Sequence, residues 1–369
     1  MPQTAAMPIR PAFVPLLPAF AGLLPVAVAA TQAPPSGPAP GPAPAVPGIT
    51  PAPVRDPYFQ PTGMKSSEHI PVVIIRNIKE DRTGAVWFAT YTGPIKYDGK
   101  TFANYAEEVG LPGTRIFSLL ETKAGAMWFG SIAGGAVRYD GKASTKFTAA
   151  EGLGNNDVLW MHEDRDANVW FATGKGASRH DGKAMTNFTT ADGLVDDSVY
   201  VITEDAKGRL WFGTQGGVCS YDGKVFTDLG KRVGRAFVNV RAMVALPSGE
   251  LWFGGQEGLF CYDGEQVKAF TSQNGLLSDF VGSMTLDRAG NLWLGHPGGA
   301  RHAQPGGVSR YDGKSFTRIT AEQALGGETV YCVHADKAGN IWIGSIDAGV
   351  CRYDGKTFAR FAAPKALGK

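Results

Sequence analysis

Tryptophan recurs through this chain with a period of about 41 residues, at Trp87, Trp128, Trp170, Trp211, Trp252, Trp293 and Trp342. The steps are 41, 42, 41, 41, 41 and 49. Self-similarity at such a period signals a repeat architecture in which each copy is one supersecondary unit. Ten or eleven residues after most of these tryptophans stands Tyr-Asp-Gly, beginning at Tyr97, Tyr139, Tyr221, Tyr262 and Tyr353, with His180 replacing Tyr in the third copy. In the sixth copy Tyr311 comes 18 residues after Trp293, so that copy carries an insertion of about eight residues.

The copy from 199 to 229 shows what one unit contains. Residues 199–204 alternate into a first strand, and Asp205-Ala206-Lys207-Gly208 makes a tight turn. Residues 210–214, with the Trp, form a second strand; residues 218–221 follow as a third and 225–229 as a fourth. Between the last two lies Asp222-Gly223, a pair that suits a type I′ turn with both residues at positive φ. Asp-Gly occurs at this point in all seven copies. A four-stranded meander repeated seven times predicts an all-β, seven-bladed β-propeller of antiparallel blades spanning 55–369, each blade packing its two apolar faces on its neighbours. The repeated Trp then fills the widening wedge between blades. The last copy has its own fourth strand at 357–361, and residues 58–63 resemble an extra fourth strand that could dock on the last blade.

Composition narrows the function classes. Thirty-six Lys and Arg nearly balance 34 Asp and Glu, for a net charge of +2, which is no footprint for nucleic acid. The four cysteines, Cys219, Cys261, Cys332 and Cys351, lack metal-ligand spacing. Their strand positions and registers are too far apart or opposed for disulfides, so they read as buried free thiols. No metal or cofactor is expected, and the chain reads as a monomer.

The N-terminus reads differently. Residues 1–30 carry Arg10, an apolar stretch from 12 to 29 broken by Pro15, Pro18 and Pro25, and Ala27-Val28-Ala29, an A-x-A cleavage pattern. This predicts a secretory signal peptide, with membrane attachment only if it stays uncleaved. Residues 31–54 hold nine prolines in 24 positions and predict an extended, semi-rigid linker.

The run Glu204-Asp205-Ala206-Lys207-Gly208-Arg209-Leu210-Trp211-Phe212-Gly213-Thr214, then Gly217-Val218-Cys219-Ser220-Tyr221-Asp222, with Gly193-Leu194 ahead of the first strand, resembles the two-component regulator propeller repeat. The resemblance covers 70–361. It implies kinship with extracytoplasmic sensors of bacterial histidine kinases, which often sense carbohydrates, and hence a periplasmic or extracellular location. These 369 residues contain no immunoglobulin-like domain, second membrane span or kinase, so the expectation is a ligand-binding module without its own kinase.

Topology places a site. First-to-second and third-to-fourth strand turns lie on one face of a propeller, and they are nearly constant here. Second-to-third loops and blade connections lie on the other, and they vary; the varied face is the expected binding face. Eleven residues before each repeat Trp stand Arg76, Phe117, Leu159, Tyr200, Arg241, Gly282 and Tyr331, each preceded by Val or Ile. This ring predicts a channel mouth suited to a ligand with a flat apolar face and an anionic or hydroxyl-rich edge, since Arg grips carboxylates bidentately and Tyr offers a ring and a donor. Filling or capping of a narrow channel is the alternative role. Trp160 sits beside the ring, lining the pocket or packing between blades 3 and 2. Lys231, Arg232 and Arg235 cluster in the connection before blade 5, close to Arg241, as solvated loop charge or as an attractive patch for an anionic ligand or partner, and the blade-6 insertion adds His296, Arg301 and His302 to the upper face. The two histidines are a poor metal pair, so that insertion reads as a lid or contact loop.

No paired carboxylates, Ser/His/Asp arrangement or phosphate loop is visible, and the repeated Asp residues fall in turns on the opposite face. The residues favour binding over catalysis. The leading expectation is a sensor-type module for a glycan or small anionic ligand; the alternatives are a protein-interaction scaffold and, third, a propeller lyase or hydrolase.

Overall fold

The structure, a computed structural model, describes residues 74–298, 305–325, 329–346 and 348–361. The signal-peptide and linker assignments, the strand at 58–63, and Arg301 and His302 lie outside the described residues.

Seven four-stranded antiparallel sheets follow one another, each built from four consecutive strands. The innermost strands are Ile75–Glu80, Ile116–Glu121, Val158–Glu163, Val199–Glu204, Ala242–Ala245, Ser283–Leu286 and Cys332–Ala335. The predicted seven-bladed propeller is therefore the fold. The second strands, such as Val86–Thr90 and Leu210–Thr214, are buried along their whole length, because each is flanked by a strand on both edges and a blade on both faces.

The core consists of seven clusters, one per blade boundary. Each repeat Trp packs onto the following blade: Trp87 meets Phe129 at 5.5 Å between ring centres, Trp128 meets Phe171 at 5.6 Å and Trp170 meets Phe212 at 5.7 Å. Trp342 of the last blade meets Phe88 of the first at 5.7 Å, so the same contact that joins successive blades also closes the ring. Around it the Ile75 amide donates to the Ser345 carbonyl at 2.9 Å, and Lys337 Nζ donates to the Asp81 carbonyl at 2.7 Å. Blade 7 takes all four of its strands from the C-terminal repeat, the last being Phe358–Arg360.

Small residues two places after each Trp make this packing possible. A Cβ on Gly344 would lie 2.8 Å from Ile75 Cγ2, one on Gly254 2.6 Å from Val281, and one on Gly130 2.6 Å from Val158. In the five blades with glycine there, the Val or Ile just before the next blade's ring position thus seats against bare backbone.

Two local expectations are revised. The Asp of Asp-Gly does not take positive φ; only the glycine does, as Gly99 at 99° and Gly223 at 94°. Asp98 instead accepts the amides of Lys100 and Thr101 through Oδ1, both at 2.8 Å, so a side-chain-capped turn replaces the type I′ turn. The repeated Asp of the first turn does more than form the turn. Asp81, Asp164, Asp205, Asp287 and Asp336 each accept the indole N–H of the Trp six residues on, at 2.8–3.0 Å. That bond satisfies the one polar atom of a side chain that must be buried. All four cysteines are free and buried.

Candidate channel-mouth site

Four of the seven ring positions share one backbone device. Between Ile75 and Asn77 the pairing with the second strand slips by one residue, leaving Arg76 unopposed. The same irregularity leaves Phe117, Leu159 and Tyr200 unopposed in blades 2 to 4. A bulge of this kind re-aims a side chain that strict alternation would have turned elsewhere. Here it lets the preceding Ile or Val face the core while the next residue faces the axis.

A cavity of ≈ 940 Å³ runs along that axis, lined by residues of all seven inner strands. The whole predicted ring lies on it, as do Trp160 and the loop residues Asn239, Gln256 and Pro297. Pro297 covers the gap left by Gly282, since a Cβ there would fall 2.7 Å from its ring.

Two arginines dominate the mouth. The Arg76 guanidinium carbon lies 4.3 Å from the ring centre of Tyr331 and 4.7 Å from that of Phe117, and its NH2 donates to the Tyr91 hydroxyl at 3.0 Å. Tyr91 and Phe117 stack at 5.9 Å. Arg76 Nε is buried and has no hydrogen-bond partner among the described residues. Arg241 lies 4.3 Å from the Tyr200 ring and donates from Nε to Asn239 Oδ1 at 2.8 Å. Tyr200 in turn donates to Gln215 Oε1 at 2.5 Å. Protein crowds Arg241 although water still reaches it, and this loss of hydration lowers its pKa; the nearby charge of Arg76 acts in the same direction, against Tyr200 and Tyr331. Among the described residues neither arginine has an acidic partner. Two cations held on aromatic faces without a neutralising carboxylate present donors to the channel.

Deeper in the channel lie Lys79, His162 and His334. Burial lowers the pKa of Lys79, with Glu121 opposing it. Burial also lowers His162 and His334 to about 4, so both rings are neutral near pH 7.

Three sequence expectations change. His296 does not reach the channel: it is fully buried, with Nδ1 2.9 Å from the Phe280 carbonyl and Nε2 2.9 Å from Ser309 Oγ, and burial lowers its pKa to about 4. It stands where five other blades carry Thr or Ser, as Thr90 and Thr214 do, and bridges its own blade. Trp160 lines the cavity, but its indole donates to the Ile202 carbonyl at 3.1 Å, so it packs toward blade 4 rather than blade 2. The basic cluster turns away from the mouth. Lys231 pairs with Asp228 at 3.6 Å, Arg232 reaches the Gly264 carbonyl at 3.3 Å, and Arg235 lies 4.7 Å from the Phe260 ring. Tyr91, Asn239 and Gln215 complete the mouth; as second-to-third loop or connector residues they belong to the varied face, and only their pairing with the ring was missing.

Comparison with known proteins fits this geometry. Residues 110–133, 193–216 and 324–347 match the family described as Two component regulator propeller; each match runs from a blade connection through an inner strand and the Trp-bearing strand. No curated protein matches the chain. Among solved structures, the extracellular domain of one hybrid two component system of B. thetaiotaomicron superposes with a TM-score of 0.66 at 23% identity, over 77% of this chain and 39% of that one. A second such domain from the same organism gives 0.63 at 20% identity, over 76% and 38%. The chain therefore spans about two fifths of the length of these relatives. Virginiamycin B lyase from Staphylococcus aureus shares the fold, with a TM-score of 0.59 at 14% identity over 78% and 97%. No helix among the described residues is long and apolar enough to cross a membrane. The chain is a seven-bladed β-propeller, and three of its segments match the two-component regulator propeller family.

Proposed function

We propose that the protein is an exported, sensor-type binding module that takes a small anionic ligand, such as an acidic glycan, at the channel mouth. The observation that carries this reading is the pair Arg76 and Arg241, each laid on a tyrosine ring and, among the described residues, neither neutralised by a carboxylate. Phe117 and Tyr91 supply a flat apolar wall beside Arg76. A ligand carboxylate meeting both guanidiniums would gain charge-assisted hydrogen bonds, while its ring or chain covers the aromatic surface. The likeness to extracellular domains of hybrid two component systems supports a sensor role and an extracytoplasmic location.

The test is thermal unfolding of the full chain against a panel of neutral and acidic oligosaccharides. A ligand at 100 times its Kd adds about 2.7 kcal/mol, a shift of a few degrees for a domain of this size. The expected result is a shift with acidic members that is lost in Arg76→Ala and Arg241→Ala. No shift with any member would turn the reading toward a protein-interaction scaffold.

A further inference from the structure

Blade 5 departs from the rest at the outer wedge near the face opposite the mouth. In five blades the Trp indole N–H donates to the first-turn Asp. In four, a third-strand cation lies over the Trp ring: Lys96 at 5.0 Å, Arg179 at 5.8 Å, Arg310 at 6.0 Å and Arg352 at 5.7 Å. Blade 5 has neither group. Leu246 stands in place of the Asp, and Cys261, opposite Trp252 in the strand pairing, stands in place of the cation. Trp252 is 7% exposed and, among the described residues, its Nε1 has no hydrogen-bond partner. The missing side chains leave a pocket of ≈ 300 Å³ between blades 5 and 6, lined among others by Leu246, Glu250, Trp252, Cys261, Phe270 and Tyr311.

We propose that this pocket is a second binding site, taking a small neutral polyol about the size of one sugar ring. The Trp252 N–H calls for an acceptor, because a buried donor left unmade is costly. Glu250, held by Ser248 Oγ at 3.3 Å, calls for a donor. A hydroxyl-bearing ring answers both. A ligand carboxylate would meet the charge of Glu250, and a ligand ammonium would meet Lys268, whose Nζ lies 4.8 Å from the Phe270 ring. The apolar face of such a ring packs on Trp252 and Phe270, stacked at 5.6 Å, and on Tyr311, 5.5 Å from both. A pocket of this volume is at the small end of ligand sites.

The experiment follows the indole Nε1–H resonance of Trp252 in the ¹⁵N-labelled full chain, identified by its loss in Trp252→Phe. Glucose and myo-inositol are titrated in, with glucuronate as the charged control. The expected result is a saturable downfield shift with both neutral probes and about tenfold or more weaker binding of glucuronate. Leu246→Asp installs the acceptor found in five blades, so the resonance should lie downfield before any addition and the titration should vanish. Cys261→Arg, which refills the pocket by the other route, should also remove it. Arg76→Ala with Arg241→Ala should leave it intact, separating this site from the channel mouth. A resonance unmoved by glucose and inositol, or a titration that survives in either folded pocket variant, overturns the proposal.

Discussion

The guanidinium carbon of Arg241 lies 4.3 Å over the ring of Tyr200, across the boundary between blades 5 and 4, and that of Arg76 lies at the same distance from Tyr331, across the boundary between blades 1 and 7. Each arginine is thus braced by the ring residue of the preceding blade. Replacing Arg241 by Lys keeps the charge but gives up the planar fork and its stacking. Anion affinity should fall about tenfold, and by about 10–100-fold in Arg241→Ala, as expected for a charge-assisted hydrogen bond. Calorimetric titration with an acidic oligosaccharide checks both, and unchanged affinity in Arg241→Ala would remove it from the site.

The Asp–Trp bond should carry much of each blade's rigidity. Asp164 accepts from Trp170 Nε1, from Asn168 Nδ2, and from the amides of Asp166 and Asn168. Asp164→Ala leaves several of these donors buried and unmatched and should cost about 2–4 kcal/mol, read from urea unfolding. Asp164→Asn, which keeps an acceptor oxygen, should cost less.

The seam between blades 7 and 1 is the one boundary no chain connection crosses. Gly344→Val would drive a side chain into Cys332 Sγ, 2.5 Å from the added Cβ, and into Ile75. Overpacking of this kind costs about 1–3 kcal/mol, and the melting temperature should fall accordingly. The same substitution at Gly99, whose Cβ would meet nothing within 4 Å, tests backbone strain alone and should cost less.

Much of this was legible in the sequence because the repeat is covalent. Trp spacing, Asp-Gly phase and strand alternation reappear in every copy, so seven readings of one blade check each other. The ring positions were legible for the same reason, since variation at Arg76, Phe117 and Tyr200 stands out against constant neighbours. The bulges were not, because one slipped residue changes pairing without changing composition. Trp160 and His296 were misplaced for a related reason. A residue's side of the sheet follows from alternation, but its hydrogen-bond partner, Ile202 or Ser309, comes from another strand. The blade-5 pocket lies in two substitutions, Leu246 and Cys261, that look unremarkable until the structure sets them beside Trp252.

Acid should destabilise the fold well before its carboxylates titrate. His162, His296 and His334 are lowered to about 4 in the folded chain, against about 6.5 when unfolded. The folded pKa is depressed, so the unfolded state binds more protons between these values. Stability is therefore full above about pH 6.5 and is lost as pH falls toward 4, by on the order of 3 kcal/mol per histidine. Urea unfolding at pH 7, 6 and 5 should show the decline. Flat stability across that range would mean that the three rings charge freely in the folded state.

The most direct test of the channel-mouth account is calorimetric titration of the full chain with pairs matched in ring but with and without a free carboxylate: an oligogalacturonate and its methyl ester, glucuronate and glucose. The account predicts mouth binding of the acids alone, lost in Arg76→Ala with Arg241→Ala. Equal binding of the esters, or acid binding that survives the double substitution, would contradict an anion site between these two arginines.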